Sequence, residues 1–155
     1  MTPLSSLHSY PLPRKSLGQH WLFDDNILAQ IVEASQISEE EIVIEIGPGP
    51  GLLTNHLIDH HNRLIAVEVD DRLASDLEDK FSNHSNFSVV NDDALNVSLS
   101  DLLTPDELEI PCVVVGNLPF NIGSAIVRHF LRDHNPPKRM IFTLQSEVAN
   151  SICAS

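Results

Sequence analysis

The sequence contains few cysteines, few aromatic residues and no long hydrophobic run. Its two cysteines, Cys112 and Cys153, are too few for a disulfide scaffold or a four-cysteine zinc site, which excludes the small disulfide-rich class. No apolar run approaches the roughly 18 residues that a membrane-spanning helix needs, and the N-terminus lacks the apolar core of a signal peptide. These absences predict a cytoplasmic protein without a membrane partner.

Basic residues are also scarce. The 155 residues include 9 lysines and arginines against 22 acidic residues, which gives a formal net charge of −13. This balance disfavours a large nucleic-acid contact surface, because an acidic protein repels phosphates. Hydrophobic residues make up 42% of the chain, enough for one packed core. We therefore expect a single domain over residues 14–155, preceded by a Ser- and Pro-rich flexible arm at 1–13.

Apolar patterning indicates the fold class. Short runs rich in β-branched residues predict strands at 42–46, 64–69, 87–90, 112–115 and 140–144. Apolar residues at helical spacing predict helices at 27–32, 52–58, 73–81 and 126–131. This alternation predicts a Rossmann-like α/β fold, in which helices cover both faces of a doubly wound, mainly parallel sheet. Cys112 begins the fourth strand and is expected to be a small buried apolar residue.

A glycine-rich loop and an acidic residue follow the first two predicted strands, where a doubly wound sheet binds its ligand. Gly47, Gly49 and Gly51 permit a tight turn and a close approach of the ligand to the backbone. Glu68 follows Gly47 by about 20 residues, the spacing at which an acid binds ribose hydroxyls. Together these features predict an adenosine-containing cofactor.

The details of the loop favour one cofactor over others. The glycines form G-x-G-x-G, whereas a dinucleotide fingerprint is G-x-G-x-x-G, and no Lys-Ser/Thr pair follows as in a nucleoside-triphosphate loop. Glu45, just before the loop, places a negative charge where it can meet a cationic amine. S-adenosylmethionine, which carries an amino-acid end, fits this combination better than a pyrophosphate.

The fourth predicted strand ends in Asn117-Leu118-Pro119-Phe120. An amide carbonyl and a neighbouring backbone carbonyl can accept both hydrogens of an exocyclic amine, and an aromatic ring can stack on the base that carries it. Asp93, after the third strand, can accept a hydrogen bond from the adenine amine of the cofactor. The motif therefore indicates a site for a nucleobase amine.

At this point the sequence resembles a known family, the ribosomal RNA adenine dimethyltransferases of the KsgA type. The matching segments occur in family order and spacing, at 15–22, 45–54, 68–70, 93–94, 117–122 and 140–150. The resemblance implies transfer of two methyl groups from S-adenosylmethionine to N6 of each of two adjacent adenines in a small-subunit rRNA hairpin loop. Such a reaction contributes to ribosome maturation, and rRNA is the implied partner.

The resemblance also implies roles for individual residues. Positions that match cofactor contacts are His20, Leu22, Gly47, Gly49, Glu68, Asp93 and Asn117, and those that match the target-adenine site are Asn117, Leu118, Pro119 and Phe120. His20 stands where many members have asparagine, and either side chain can bind the methionine end. Phe120 stands where tyrosine is commoner, which preserves stacking but not a hydroxyl role.

Other interpretations remain open at this stage. The chain can be a non-catalytic ribosome-assembly factor, or a large-subunit methylase of the macrolide-resistance type, and a nicotinamide-dependent oxidoreductase is disfavoured by the missing fingerprint. Arg128 and Arg132, one helical turn apart, either contact RNA phosphates or are solvated surface charges. His56 and His60 have the spacing of a helical metal pair, but no acid or cysteine completes a site, so no metal is expected.

Family members continue beyond the length of this sequence, with two further strands and a small helical domain. We therefore expect the chain to correspond to an N-terminal part of such a protein, which is a monomer when complete. Without the later strands, residues 140–144 are expected to form an unpaired sheet edge, and efficient methyl transfer by residues 1–155 alone is not expected.

Overall fold

The computed structural model describes residues 10–59, 63–118 and 122–143. Its strands are β1 (Ile42–Ile46), β2 (Arg63–Val67), β3 (Phe87–Val90), β4 (Cys112–Asn117) and β5 (Arg139–Thr143). Its α-helices are α1 (Asp25–Ser35), α2 (Leu52–Leu57), α3 (Asp71–Lys80), α4 (Leu99–Leu102) and α5 (Gly123–Leu131). Two short 3₁₀ helices cover Lys15–Leu17 and Glu107–Glu109. Within these residues, no helix is both long enough and apolar enough to cross a membrane.

The five strands form one sheet in the order β3-β2-β1-β4-β5, and every pair of neighbours is parallel. β1 lies at the centre, between β2 and β4. The order therefore reverses at β1 and β4, which is where an open α/β sheet binds its ligands. The predicted doubly wound, parallel α/β fold is confirmed.

The core has two layers, one on each face of the sheet. Ile44 of β1 belongs to the layer beneath α5, which contributes Ile126 and Phe130, whereas Val43 belongs to the layer beneath α1, α2 and α3. Cys112 is buried, as predicted, and burial raises the pKa of its thiol to about 12. Helices on both faces explain why the strands are continuous apolar runs rather than alternating ones.

The predicted starts of β2 and β5 differ from the structure by one residue, and the predicted ends of β2 and β4 differ by two. β2 ends at Val67, not at residue 69, because Glu68 turns back to accept the backbone N–H of Asp70. β4 continues to Asn117, two residues past its predicted end, because its last residue pairs with Thr143 of β5. Helix α4, with four residues and a Ser98 capping box, was not predicted, since it is too short for helical periodicity.

Ionic contacts fix the start of β5 beside the start of β1. The buried Glu41 carboxylate accepts from Lys138 Nζ at 2.9 Å and from Arg139 Nη2 at 2.7 Å. Burial raises the pKa of Glu41, but the bonds from Lys138, Ser38 and Arg139 outweigh it, so the net pKa is lowered. These contacts, together with the β4 ladder, set the register of the β5 edge.

Candidate functional site

A cleft of about 250 Å³ opens at the carboxyl ends of the central strands. Loops after β1, β2, β3 and β4 form its walls, and residues 17–22 cover one side. Eight of the predicted site residues line it: His20, Leu22, Gly47, Gly49, Glu68, Asp93, Asn117 and Leu118. Pro119 and Phe120 lie outside the described residues. The cleft thus brings together residues that are up to about a hundred positions apart in sequence.

All three glycines of the loop after β1 have left-handed backbones, but Gly47 and Gly49 have different surroundings. Gly47 has φ +64°, and a Cβ added there would meet no atom within 4 Å. Gly49 has φ +57°, and a Cβ there would lie 2.7 Å from Cζ3 of Trp21. Gly47 therefore keeps space open in the cleft, whereas Gly49 allows the Trp21 ring to pack on the loop.

Glu68 ties the glycine loop to the start of α3. It is 3% exposed, its Oε2 accepts the Gly49 N–H at 3.1 Å, and its Oε1 accepts the Asp70 N–H at 2.9 Å. Burial raises the pKa of Glu68 above its ordinary value, although these two amides oppose the rise. Each carboxylate oxygen retains a second acceptor site, which a ligand hydroxyl in the cleft can use.

Asp70, which the sequence analysis did not single out as a site residue, holds the covering segment in place. Its carboxylate is fully buried and contacts Arg72 Nη2 at 2.9 Å, Gln19 Nε2 at 3.2 Å and Arg14 Nη1 at 3.4 Å. The hydrogen bond from Arg72 and the other contacts lower the pKa of Asp70 to about 2. Asp70 also caps α3, and that N-cap position was its one sequence signal.

Glu45 lies at the base of the cleft and is 1% exposed. Its Oε2 accepts the Thr54 hydroxyl at 2.7 Å. Burial raises the pKa of Glu45 from 4.5 to about 7, the neighbouring Glu68 charge adds to the rise, and Thr54 and Lys80 oppose it. An acid poised in this way ionises readily when a cationic group comes close.

Asp93 and Asn117 present polar groups from the two flanking loops. Asp93 Oδ1 accepts the Leu95 N–H at 2.9 Å, which holds the carboxylate in a turn. The Asn117 Nδ2 donates to the His20 backbone carbonyl at 3.4 Å, and its Oδ1 accepts the Thr143 hydroxyl at 2.7 Å. The exposed His20 ring is itself 2.9 Å from the Gly18 carbonyl. The covering segment and the end of β4 are therefore joined directly.

The described residues outside the cleft do not assemble a metal centre. His56 Nε2 lies 3.2 Å from Asp25 Oδ1, while His60 lies outside the described residues. Over residues 10–59, 63–118 and 122–143, no group of three or more His, Cys, Asp or Glu side chains is placed to hold a metal ion.

The order of motifs around this cleft matches a known family. A family model described as ribosomal RNA adenine dimethylase matches residues 12–155. The chain belongs to this family. The match takes in the whole cleft and every strand of the sheet.

Individual relatives agree with this assignment. The chain is 41% identical, over 143 residues, to ribosomal RNA small subunit methyltransferase A of Listeria innocua, covering 91% of this chain and 48% of the relative. The crystal structure of 23S rRNA methyltransferase ErmE superposes with a TM-score of 0.71 at 34% identity, over 84% of this chain and 50% of that one. A dimethyladenosine transferase from Plasmodium falciparum gives a TM-score of 0.73 at 26% identity, over 88% and 47%. The chain spans about half the length of the curated relatives it matches.

Gly47 and Gly49 give a first testable prediction. Gly47→Ala should lower the free energy of unfolding by about 1–2 kcal/mol, the cost of a left-handed backbone for a residue with a Cβ. Gly49→Ala should cost about 1–3 kcal/mol more, because its Cβ also clashes with Trp21. Chemical denaturation measures both variants. In a Trp21→Ala background, Gly49→Ala should lower the free energy of unfolding by no more than Gly47→Ala does. Equal costs for the two alanines would contradict the packing assigned to Trp21.

Glu45 gives a prediction about pH. Because its pKa is higher in the folded protein than in the unfolded chain, ionising it costs stability, so the penalty is absent below about pH 4.5 and complete above about pH 7. Glu45→Gln should therefore gain stability relative to the wild type as pH rises, by up to about 3 kcal/mol at pH 8. Unfolding titrations at pH 4.5 and pH 8 measure the difference, with the exposed Glu78→Gln as the control for loss of one charge. A constant difference between the two proteins would contradict the raised pKa.

Proposed function

We propose that the protein transfers methyl groups from S-adenosylmethionine to N6 of adenines in small-subunit ribosomal RNA, and that it dimethylates two adjacent adenines. The observation that carries this proposal is the position of the Asn117 amide in the same cleft as the glycine loop and Glu68. An acceptor for a nucleobase amine and a pocket for an adenosine cofactor therefore share one space. The family match and the small-subunit methyltransferase from Listeria innocua support the choice of substrate.

The cleft has the groups that S-adenosylmethionine needs. Space is open beside Gly47, Glu68 offers free acceptor sites for ribose hydroxyls, and Asp93 offers its second oxygen for an adenine amine. Glu45 provides a buried acid that can ionise against the cationic amino-acid end. When bound, this cofactor supplies an electrophilic methyl group on a positively charged sulfur.

The residues at the end of β4 act on the target base. Adenine N6 is a poor nucleophile because its lone pair is delocalised into the ring. Hydrogen bonds from the amine to Asn117 Oδ1 and to the backbone carbonyl of Leu118 or Pro119 would favour a pyramidal nitrogen and orient its lone pair. The proton released after transfer can pass to water, so the reaction requires no strong base. Stacking by Phe120, which lies outside the described residues, stays a prediction.

The basic residues of this acidic chain are not equally available to RNA. Most of them pair with carboxylates or, for Lys80, with a backbone carbonyl. Within the described part of the chain, no carboxylate partner is found for Lys15, for Arg128 of α5 or for Arg132, which caps the end of that helix. Arg128 and Arg132 line one groove beside α5. Because α5 begins shortly after the Asn117 motif, these two cations are the ones we expect to contact phosphates of a bound RNA.

Glu68 gives the prediction for cofactor binding. Glu68→Ala should weaken the binding of S-adenosylhomocysteine by about 1.5–3 kcal/mol, the range for hydrogen bonds to a charged group. This corresponds to a loss of affinity of about tenfold or more. Calorimetry with an analogue that lacks the ribose hydroxyls isolates the role, since Glu68→Ala should lose the wild-type preference for the ribose-containing ligand, whatever the loss of the Gly49 and Asp70 contacts does to both ligands. The exposed Glu78→Ala is the matched control. If Glu68→Ala still prefers the ribose-containing ligand by the wild-type factor, Glu68 does not bind ribose.

Methyl transfer tests the function itself. The protein in its natural length should incorporate radiolabelled methyl groups into unmethylated small subunits and yield N6,N6-dimethyladenine on digestion. Asn117→Ala should lower the single-turnover rate by about 100-fold or more, the scale for a preorganised transition-state contact, while the exposed Asn55→Ala should not change it. Label that enters only large subunits would reassign the substrate. Binding of cofactor and subunit without any transfer would make the protein an assembly factor.

A further inference from the structure

Thr143, the last residue of β5, makes two contacts to the motif at the end of β4. Its side-chain Oγ1 lies 2.7 Å from Asn117 Oδ1, and its backbone carbonyl accepts the Leu118 N–H at 3.2 Å. Asn117 and Thr143 are direct partners in the parallel ladder, and both line the cleft. The sequence analysis assigned Thr143 no role, because the two residues are 26 positions apart.

The direction of the side-chain hydrogen bond follows from the other partner of the amide. The backbone carbonyl of His20, 3.4 Å from the amide nitrogen, can only accept, so the NH₂ group of Asn117 must face it. The amide oxygen then faces Thr143, whose hydroxyl must be the donor. One lone pair of Oδ1 is used in this bond, and the other remains available on the cleft side.

We propose that Thr143 is a positioning residue for the target base, which fixes the Asn117 amide with its oxygen towards the incoming adenine amine. This inference rests on the proposed function. An amide rotated by 180° would present its NH₂ group to the substrate NH₂ group, and two donors repel each other. The His20 carbonyl opposes that rotation, because the rotated amide would place its oxygen against another acceptor, and the Thr143 hydroxyl holds the amide oxygen in the position so selected. The Leu118 contact holds the adjacent backbone carbonyl in the same rigid unit.

The position of Thr143 is well determined by contacts remote from the cleft. At the other end of β5, Arg139 and Lys138 bind the buried Glu41 beside the start of β1. Between the two ends, β5 is paired with β4 residue by residue. A hydroxyl at the end of such a strand can therefore orient the Asn117 amide without being displaced by it.

The test uses the protein in its natural length and three variants. Thr143→Val keeps the shape and removes the donor, so the single-turnover rate at saturating cofactor and RNA should fall about five- to tenfold, the effect of one neutral hydrogen bond. Thr143→Ser keeps the hydroxyl and should stay within twofold of the wild type. In an Asn117→Ala background, Thr143→Val should have no further effect, because the group that it positions is gone.

A purely structural role for Thr143 would give a different pattern. Thr143→Val would then lower the rate equally in both backgrounds, or Thr143→Ser would fail to restore it, and either result would overturn the inference. Thr143→Ala replaces the valine variant if that variant does not fold.

A second readout does not depend on catalysis. In ¹⁵N spectra, hydrogen exchange of the Asn117 side-chain amide should be faster in Thr143→Val than in the wild type or Thr143→Ser. If the wild type transfers no methyl groups but this difference is present, the proposed function fails and the amide contact stands. If exchange is the same in all three proteins, the positioning role is wrong whatever the activity.

Discussion

Strand β1 is hydrogen-bonded to parallel strands on both sides. The connection after β1 leads to β2, whereas the connection after its other neighbour, β4, leads to β5 on the opposite side of the sheet. The loops after β1 and β4 therefore diverge, which opens a space between them. The cleft exists because these two loops leave the sheet in opposite directions. The glycine loop, Glu68 and the Asn117 motif are unrelated in sequence, yet they face one another because each follows the carboxyl end of a central strand.

Buried acids of different strength surround this cleft. Burial raises the pKa of Glu45 to about 7, while Arg72 and its neighbours lower the pKa of Asp70 to about 2. Asp70 is therefore ionised at neutral pH and anchors the covering segment. Glu45, at the base of the cleft, changes its protonation state near neutral pH. Part of the negative charge of this acidic chain therefore lies inside the protein, where it holds the covering segment or faces the cleft.

The sequence was a good guide wherever a feature is local. The parallel fold, the central strands and the glycine loop follow from residues close together, and the predicted site residues that the structure describes all line the cleft. The contacts missed are those made across the chain. Gln19 reaches Asp70 over 51 residues, and Thr143 reaches Asn117 over 26, so no local pattern could reveal either pair. The clash between a Gly49 side chain and Trp21 likewise exists only once the segment at 17–22 has folded over the loop.

On the function proposed above, this cleft binds S-adenosylmethionine through the residues of the four loops and the covering segment. A ¹H–¹⁵N chemical-shift titration of the protein with S-adenosylhomocysteine tests it most directly. We expect saturable shifts concentrated at residues 18–22, 47–49, 68–70, 92–94 and 117–118, with no comparable shifts on adding NAD. Saturable shifts on another face of the sheet, or an equal response to NAD, would contradict it.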